Sequence, residues 1–384
     1  MAEIVIVMEA MSPGGAEIYT CQMAKYFAQQ RSVIMINFGN FDLGSMLSCN
    51  YKYPSHGENE VAYLFIGKSL RNLGMGGVKK VISSLGFKPS TILFSKSWLS
   101  QGSLEAELAL RLYSKRYVVM LHSVPQKTRM HRSWIFTGFG IKTSIRMMLP
   151  HSIICVSHAV RTSLETLYMV SSNKLRVVPN GVDTQRFRKI DATLRRHRRE
   201  KLGIEAGAFL FGIISRLSPE KGIDTAIECF SNVVQSKYYH PPRMLIVGDG
   251  PERPRLENMV DEMGIGDLVK FLPFTYCPEE IFTIVDVVLV PSRSEGLPLT
   301  ILEAFACEVP VIAFSTGGIS EIFQGMSLGW LCPAGDRKAF LSAMADAITI
   351  PKEMLVEYGK AAREHVLRQF NLERALFELS EIVY

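Results

Sequence analysis

Short runs of consecutive apolar, often β-branched residues alternate along this chain with longer segments of helical composition. Ile4 to Met8, Ser32 to Asn37, Thr91 to Ser95, Tyr117 to His122 and Ser152 to Ser157 are nearly continuous in apolar character. Such runs predict strands covered on both faces, as in a parallel sheet. Helices are predicted from Ala16 to Gln29, Val78 to Leu85, Leu104 to Ser114, and after Ser157 as far as Met169. The alternation restarts in the second half. Phe209 to Ser215, Met244 to Val247, Val269 to Phe274, Val285 to Val290 and Val309 to Phe314 read as strands, and Ile223 to Val234 as a helix. The pattern predicts two doubly wound α/β domains. Pro179-Asn180-Gly181-Val182-Asp183 has turn chemistry and sets the predicted boundary, giving domains 1–183 and 184–369. Phe370-Asn371-Leu372-Glu373 opens a last helix within 370–384. Residues Phe38 to Gly77, with several glycines among Tyr, Asn and Ser, yield only short elements.

The turns after these strands carry the candidate chemistry, because open parallel sheets take ligands beyond their carboxyl ends. Pro291-Ser292-Arg293-Ser294-Glu295-Gly296-Leu297-Pro298-Leu299-Thr300-Ile301-Leu302-Glu303 joins a strand to a helix. Gly296 permits close approach of a ligand, and a helix beginning near Leu299 and Thr300 presents free N–H groups suited to an anion. Glu295 and Glu303 accept hydrogen bonds from hydroxyls and point to a sugar or ribose beside that anion. Arg216 and Lys221 flank another strand-to-helix turn, Arg216-Leu217-Ser218-Pro219-Glu220-Lys221-Gly222, where two cations can neutralise a diphosphate. Gly248 lies in the Gly248-Asp249-Gly250-Pro251 turn, and Gly14-Gly15 follows the first strand. His122 stands at a strand end, where a side chain faces ligand.

These turns resemble those of the retaining glycosyltransferases of family 4. The resemblance rests on the Glu–seven residues–Glu phrase from Pro291 to Ala304, on Ser215-Arg216-Leu217…Lys221-Gly222, on the Gly248 loop, and on Gly14-Gly15-Ala16-Glu17 with His122. It is strongest from Lys174 onward. Ser320 stands where the family has Pro in Gly-Gly-x-Pro-Glu, and Pro273 where it commonly has Gly. The resemblance implies a GT-B fold: two facing Rossmann-like domains, acceptor-binding first and donor-binding second, with a C-terminal helix crossing back. It implies transfer of a sugar from a nucleotide-sugar to an acceptor hydroxyl with retention. Arg216, Lys221, the Gly15 amide and the helix start at Leu299 and Thr300 are then expected at the diphosphate. Glu295 is expected at the sugar, Glu303 at the ribose, Gly248 beside the nucleotide, and His122 at the reacting carbon. With no Asp-x-Asp in the chain and two cations at the diphosphate, neither a metal nor a cofactor is expected. Rival expectations are a nucleotide-sugar-binding protein without turnover, and another GT-B reaction such as phosphorolysis or epimerisation.

Composition narrows the setting. Among 384 residues, 47% are hydrophobic and 21% charged, an ordinary globular balance. Seven cysteines without a C-x-x-C pair, several in apolar runs, fit buried reduced thiols. The acidic N-terminal stretch is unlike a signal peptide, and no uncharged apolar run is long enough to span a bilayer, so a cytoplasmic location is expected. Charge is uneven: Met1 to Asp183 holds 20 Lys+Arg against 10 Asp+Glu, whereas the remainder is net acidic. A basic first half suits an anionic membrane surface or a lipid-linked acceptor in cell-surface polysaccharide or glycolipid synthesis. Lys127 to Leu149 mixes Arg129, His131, Arg132, Lys142 and Arg146 with apolar residues, as either a surface-lying helix or a cover for the sheet. The run Arg195-Arg196-His197-Arg198-Arg199-Glu200-Lys201 has a nucleic-acid-like composition but lacks interleaved aromatics, and reads as a solvated helix face; no nucleic-acid partner is expected.

Overall fold

The computed structural model describes residues 4–10, 12–44, 47, 61–124, 138–205, 207–235 and 241–384, without the side chains of 138–141. The chain forms two compact units, Met1–Asn180 with Arg374–Tyr384, and Gly181–Glu373.

The first unit runs β1 (Ile4–Met8), α1 (Gly15–Ala28), β2 (Val33–Asn37), β3 (Ala62–Phe65), α2 (Leu70–Ser83), β4 (Thr91–Lys96), α3 (Leu104–Leu112), β5 (Arg116–Leu121), α4 (Gly138–Met148), β6 (Ser152–Cys155), α5 (His158–Tyr168) and β7 (Leu175–Val177). Its sheet has the order β3-β2-β1-β4-β5-β6-β7, and every pairing is parallel. All five residues of β1 are buried, as its unbroken Ile-Val-Ile-Val-Met run requires. The strand order reverses at β1 and β4, so their carboxyl ends frame a switch point. Ser103 and Ser157 cap α3 and α5 by accepting from Ala106 N and Val160 N.

The second unit contains α6 (Ala192–Lys201), β8 (Leu210–Ile214), α7 (Ile223–Val234), β9 (Arg243–Val247), α8 (Arg253–Glu262), β10 (Val269–Leu272), α9 (Pro278–Phe282), β11 (Val287–Val290), α10 (Leu299–Ala306), β12 (Val311–Phe314), α11 (Ile319–Phe323), β13 (Gly329–Cys332), α12 (Arg337–Thr349) and α13 (Lys352–Gln369). The sheet order is β10-β9-β8-β11-β12-β13, again wholly parallel, with its switch point between β8 and β11. Phe211, Phe230, Ile246, Leu289, Ile312 and Phe340 belong to one continuous buried core.

A last helix, α14 (Leu372–Val383), carries the chain back, and Arg374–Tyr384 clusters with the first unit. There Thr91 Oγ1 donates to the Val383 carbonyl at 2.8 Å, and the Tyr384 ring lies 5.7 Å from that of Phe27. In the second unit Val182 and Asn371 form a parallel bridge, and a side chain on Gly181 would strike the Leu372 backbone.

Two surface readings change. The basic run on α6 is only in part a solvated face: Arg196, His197 and Lys201 are exposed, but Arg199 is buried, and Arg195, Arg198 and Arg199 all reach the turn that precedes β11. Arg195 and Arg199 each place a nitrogen 2.7 Å from Asp286, Arg199 Nε donates to the Ile284 carbonyl, and Arg198 donates to Thr283 Oγ1. Asp286 introduces a charge at the foot of an apolar strand, and burying it there demands cations. Arg146, counted with the basic face of α4, also turns inward and is only 5% exposed. Its Nε donates to Glu107 Oε1 at 2.6 Å, where Lys96 Nζ also donates at 2.8 Å, while Tyr117 donates to Oε2 at 3.0 Å. Lys142, Ile145 and Met148 keep the outer side of α4, and residues 125–137, with Arg129, His131 and Arg132, lie outside the described residues. Among the described residues no helix is long and apolar enough to cross a membrane.

Candidate active site

Three turns of the second unit are locked together beyond the ends of β8, β9 and β11. Gly222 has φ +64, and a Cβ on it would run into the Pro291 carbonyl oxygen, so the turns after β8 and β11 touch backbone to backbone. Gly248, with φ +142, is equally close to the Ser215 carbonyl, and Leu217 N donates to the Asp249 carbonyl at 2.9 Å. Arg293 fastens the first two turns. Its Nη2 reaches Asp224 Oδ1 and Oδ2 at 2.8 and 2.9 Å, its Nη1 donates to the Pro219 carbonyl, and its own amide donates to the Glu220 carbonyl at 2.8 Å. Burial works against the Asp224 carboxylate, but the hydrogen bonds and charge of Arg293, the Thr225 amide and the charge of Arg255 together outweigh it and hold Asp224 below its ordinary pKa.

Within this frame the expected charges meet in pairs. Lys221 Nζ lies 2.6 Å from Glu295 Oε1, which also accepts from Ser292 Oγ at 2.8 Å. Both contacts fall on one oxygen of a carboxylate that is 9% exposed. Arg216 Nη2 lies 3.2 Å from Glu220 Oε1, which Ser218 Oγ also approaches at 2.6 Å. Burial pushes the Glu220 carboxyl up, but Ser218, its own amide, Arg216 and Lys221 together bring it below the usual value. Gly296 lends its carbonyl to Gly318 N at 3.0 Å. Leu299 begins α10, whose N-cap Pro298 supplies no side-chain bond to the free amides. Thr300 Oγ1 donates to the Ile214 carbonyl at the end of β8, at 3.2 Å.

Glu303 lies one turn further along α10. Burial pushes its carboxyl up to about 7; Arg186 draws it down and Glu279 pushes it up. Arg186 is itself held by Glu279, with Nη2 2.8 Å from Oε2, and donates to the Tyr276 carbonyl.

Gly15 and His122 belong to the first unit. Gly15 opens α1 directly after Gly14, whose extended backbone makes no side-chain cap. His122 follows β5 and donates its amide to the Lys96 carbonyl at 3.0 Å. Its Nε2 lies 3.0 Å from Ser95 Oγ, which lies 2.7 Å from Thr20 Oγ1, and the Tyr19 ring stands edge-on to the imidazole. Burial lowers the His122 pKa to about 4, so the ring is neutral at physiological pH.

Sequence reading had not singled out Arg293, Asp224, Ser292, Glu220, Ser95 or Thr20 as parts of either cluster. Arg293 and Ser292 lie inside the Pro291–Glu303 stretch and Glu220 inside Arg216–Gly222, so these three carried a local signal.

The family Glycosyltransferase Family 4 matches residues 13–186, and Glycosyl transferases group 1 matches residues 195–365. N-acetyl-alpha-D-glucosaminyl L-malate synthase of Bacillus anthracis is 30% identical over 247 residues, 64% of this chain and 61% of that protein. D-inositol 3-phosphate glycosyltransferase of Stackebrandtia nassauensis is 28% identical over 294 residues, 72% of this chain and 64% of that one. This chain thus spans less than two thirds of the length of these curated relatives. Among solved structures, Anabaena HepE in complex with UDP and glucose superposes with a TM-score of 0.81 at 20% identity, covering 100% of this chain and 99% of its own. WaaG, a glycosyltransferase involved in lipopolysaccharide biosynthesis, gives 0.77 at 15% identity with 99% of both chains covered. With the two family matches side by side along the chain and these structural neighbours at full length, the chain belongs to the glycosyl transferases of group 1 and has the GT-B fold.

Proposed function

We propose that this protein is a retaining, metal-independent glycosyltransferase that moves a sugar from a nucleotide-sugar to an acceptor hydroxyl. The observation that carries the reading is the pairing of Lys221 with Glu295 beside Arg216 on interlocked turns at a switch point. A diphosphate and a sugar need that combination: cations for the one, a carboxylate for the hydroxyls of the other. The complexes of HepE with UDP and with UDP-glucose support a nucleotide-sugar as the ligand class.

In this reading Lys221 and Arg216 neutralise the diphosphate with the α10 amides at Leu299 and Thr300. Glu295 offers Oε2 to sugar hydroxyls, since Lys221 and Ser292 already occupy Oε1. Glu303 receives the ribose hydroxyls, and Gly248 lets the nucleotide lie against its turn. The bond from the anomeric carbon to the phosphate oxygen breaks, with its electron pair going to the departing nucleoside diphosphate. The acceptor oxygen attacks from the same face, and its proton passes to that phosphate oxygen. Stabilising the leaving group is then the main chemical task, and two preorganised cations suit it. Gly15 and His122 serve from the first unit, which takes the acceptor, a saccharide or a lipid-linked one.

The test is thermal unfolding against a panel of nucleotides and nucleotide-sugars that includes UDP and UDP-glucose. A ligand at 100 times its dissociation constant adds about 2.7 kcal/mol to stability. A shift with one nucleoside diphosphate that vanishes in Arg216→Ala is expected; a flat response from the folded protein would sink the reading. The anomeric configuration of a product glycoside, read by proton NMR and compared with that of the donor, tests retention, and activity that persists in a chelator tests metal independence. The outer side of α4, with Lys142, Ile145 and Met148, supports a peripheral contact with anionic lipid on the cytoplasmic face. Failure to sediment with anionic liposomes at low salt would rule that contact out.

A further inference from the structure

His122 ends a line of hydroxyls whose protons can be assigned one at a time. Thr20 Oγ1 lies 2.7 Å from the Ala16 carbonyl oxygen, the i−4 contact common for Thr in a helix. A carbonyl only accepts, so the single Thr20 hydroxyl proton is committed there. Thr20 Oγ1 also lies 2.7 Å from Ser95 Oγ, and with its own proton used it accepts; the Ser95 proton therefore points to Thr20. Ser95 Oγ in turn lies 3.0 Å from His122 Nε2 and, its proton used, also accepts. Nε2 therefore carries hydrogen. The other ring nitrogen, Nδ1, is buried and has no hydrogen-bond partner among the described residues.

We infer that Thr20 and Ser95 are positioning residues that fix His122 as the Nε2–H tautomer, leaving the Nδ1 lone pair to accept a hydrogen bond from a carbohydrate hydroxyl. The ligand class rests on the proposed glycosyltransferase reading; the tautomer rests on the hydroxyl line alone. Thr20 is fully buried on α1 and Ser95 fully buried on β4, so water does not reset the proton order. A lone pair repels phosphate oxygens and attracts a hydroxyl. His122 thus distinguishes a sugar from an anion, a task that an imidazolium in the same place could not perform. A buried acceptor without a partner destabilises the empty site, and a hydroxyl that satisfies it binds more tightly for that reason.

Long-range proton–nitrogen NMR of the full chain reads the tautomer directly, with the His122 signals assigned by their loss in His122→Asn. Wild type is expected to show a bare Nδ1 and a protonated Nε2; the reverse overturns the inference. In Thr20→Val, Ser95 loses its acceptor, turns its proton toward Nε2, and the tautomer inverts. Thr20→Ser restores the wild-type pattern. An unchanged tautomer in folded Thr20→Val overturns the relay. With UDP and UDP-glucose as probes, Thr20→Val is expected to weaken UDP-glucose up to about tenfold while leaving UDP unchanged. Equal UDP-glucose affinity in a variant whose tautomer has inverted overturns the hydroxyl contact. If wild type binds no nucleotide-sugar, the donor reading fails instead, and the NMR series still decides the relay.

Discussion

The two units share a parallel sheet and a central switch point, yet the turns at their strand ends differ in charge. In the second unit the ions crowd the strand-end turns: Arg216 with Glu220, Lys221 with Glu295, Arg293 with Asp224. In the first, the corresponding edge holds the neutral line His122–Ser95–Thr20, and the ions Lys96, Glu107 and Arg146 are buried. Adjacent residues on β4 make the division. Ser95 and Lys96 point to opposite faces of the sheet, one toward α1 and the other toward α3 and α4. Charge at the turns suits an anionic ligand, whereas buried charge fastens helices.

That contrast can be broken from either side. The largest effect is expected from Glu107→Ala, which leaves Lys96 and Arg146 buried without their carboxylate. Stability should fall by about 3–5 kcal/mol, read from the urea midpoint; a loss below 1 kcal/mol would mean that the cluster is solvated. Lys221→Met removes one of the two cations proposed to meet the diphosphate. It should lower turnover about a hundred- to a thousandfold, the scale of one lost transition-state donor, with a smaller fall in the urea midpoint than Glu107→Ala, because the Lys221–Glu295 pair is less completely buried. Equal damage to stability would erase the distinction between the units.

A smaller effect distinguishes Glu303 in the second unit from His122 in the first. Glu303 is raised to about 7 when folded, above the ordinary 4.5, so between these values the folded state binds the proton more tightly. Its contribution therefore rises as pH falls from about 7 towards 4.5, and its charge costs stability above 7. Glu303→Gln should stabilise the protein at pH 8 relative to wild type and leave little difference at pH 5. His122, lowered to about 4 from an ordinary 6.5, stays neutral in the folded state while the unfolded chain takes up the proton, so it opposes that slope and costs stability as pH falls from 6.5 towards 4. An unchanged pH profile in Glu303→Gln would refute the raised carboxyl. The smallest effect is expected from Arg198→Ala, whose contact with Glu280 is half open to solvent: less than about 1 kcal/mol. Its neighbour Arg199, buried against Asp286, should cost clearly more, and comparing the two urea midpoints checks the gradient.

The central strands were legible because a strand covered on both faces is largely apolar: β1, β8 and β11 carry no polar side chain, and β4 and β5 carry theirs at or near their ends, at Thr91, Ser95, Lys96 and Arg116. β3 escaped because it is an edge strand whose residues are largely exposed, with Leu64 and Phe65 at the surface. The first half of α2 escaped because Gly74, with φ +56, interrupts it; only from Val78 onward does helical apolar spacing appear. In the site, the residues on the turns were readable from local chemistry. Their partners were not: Asp224 meets Arg293 across 69 positions, and Thr20 meets Ser95 across 75. No local pattern encodes such separations. The α6 arginines misled for the same reason, although Asp286 inside an otherwise apolar run was a signal that some cation must come to it.

The return of Arg374–Tyr384 to the first unit orders events on the ribosome. The second unit is one continuous stretch, Gly181–Glu373, and all of its strands have been made before α14 begins. The first unit, although translated earlier, lacks until then the helix whose Val383 carbonyl receives Thr91 and the Tyr384 ring that covers Phe27. Domains generally fold as units in the order of their synthesis. Here the half made first must wait, with part of β4 and α1 uncovered, and the half made second has its complete sequence sooner.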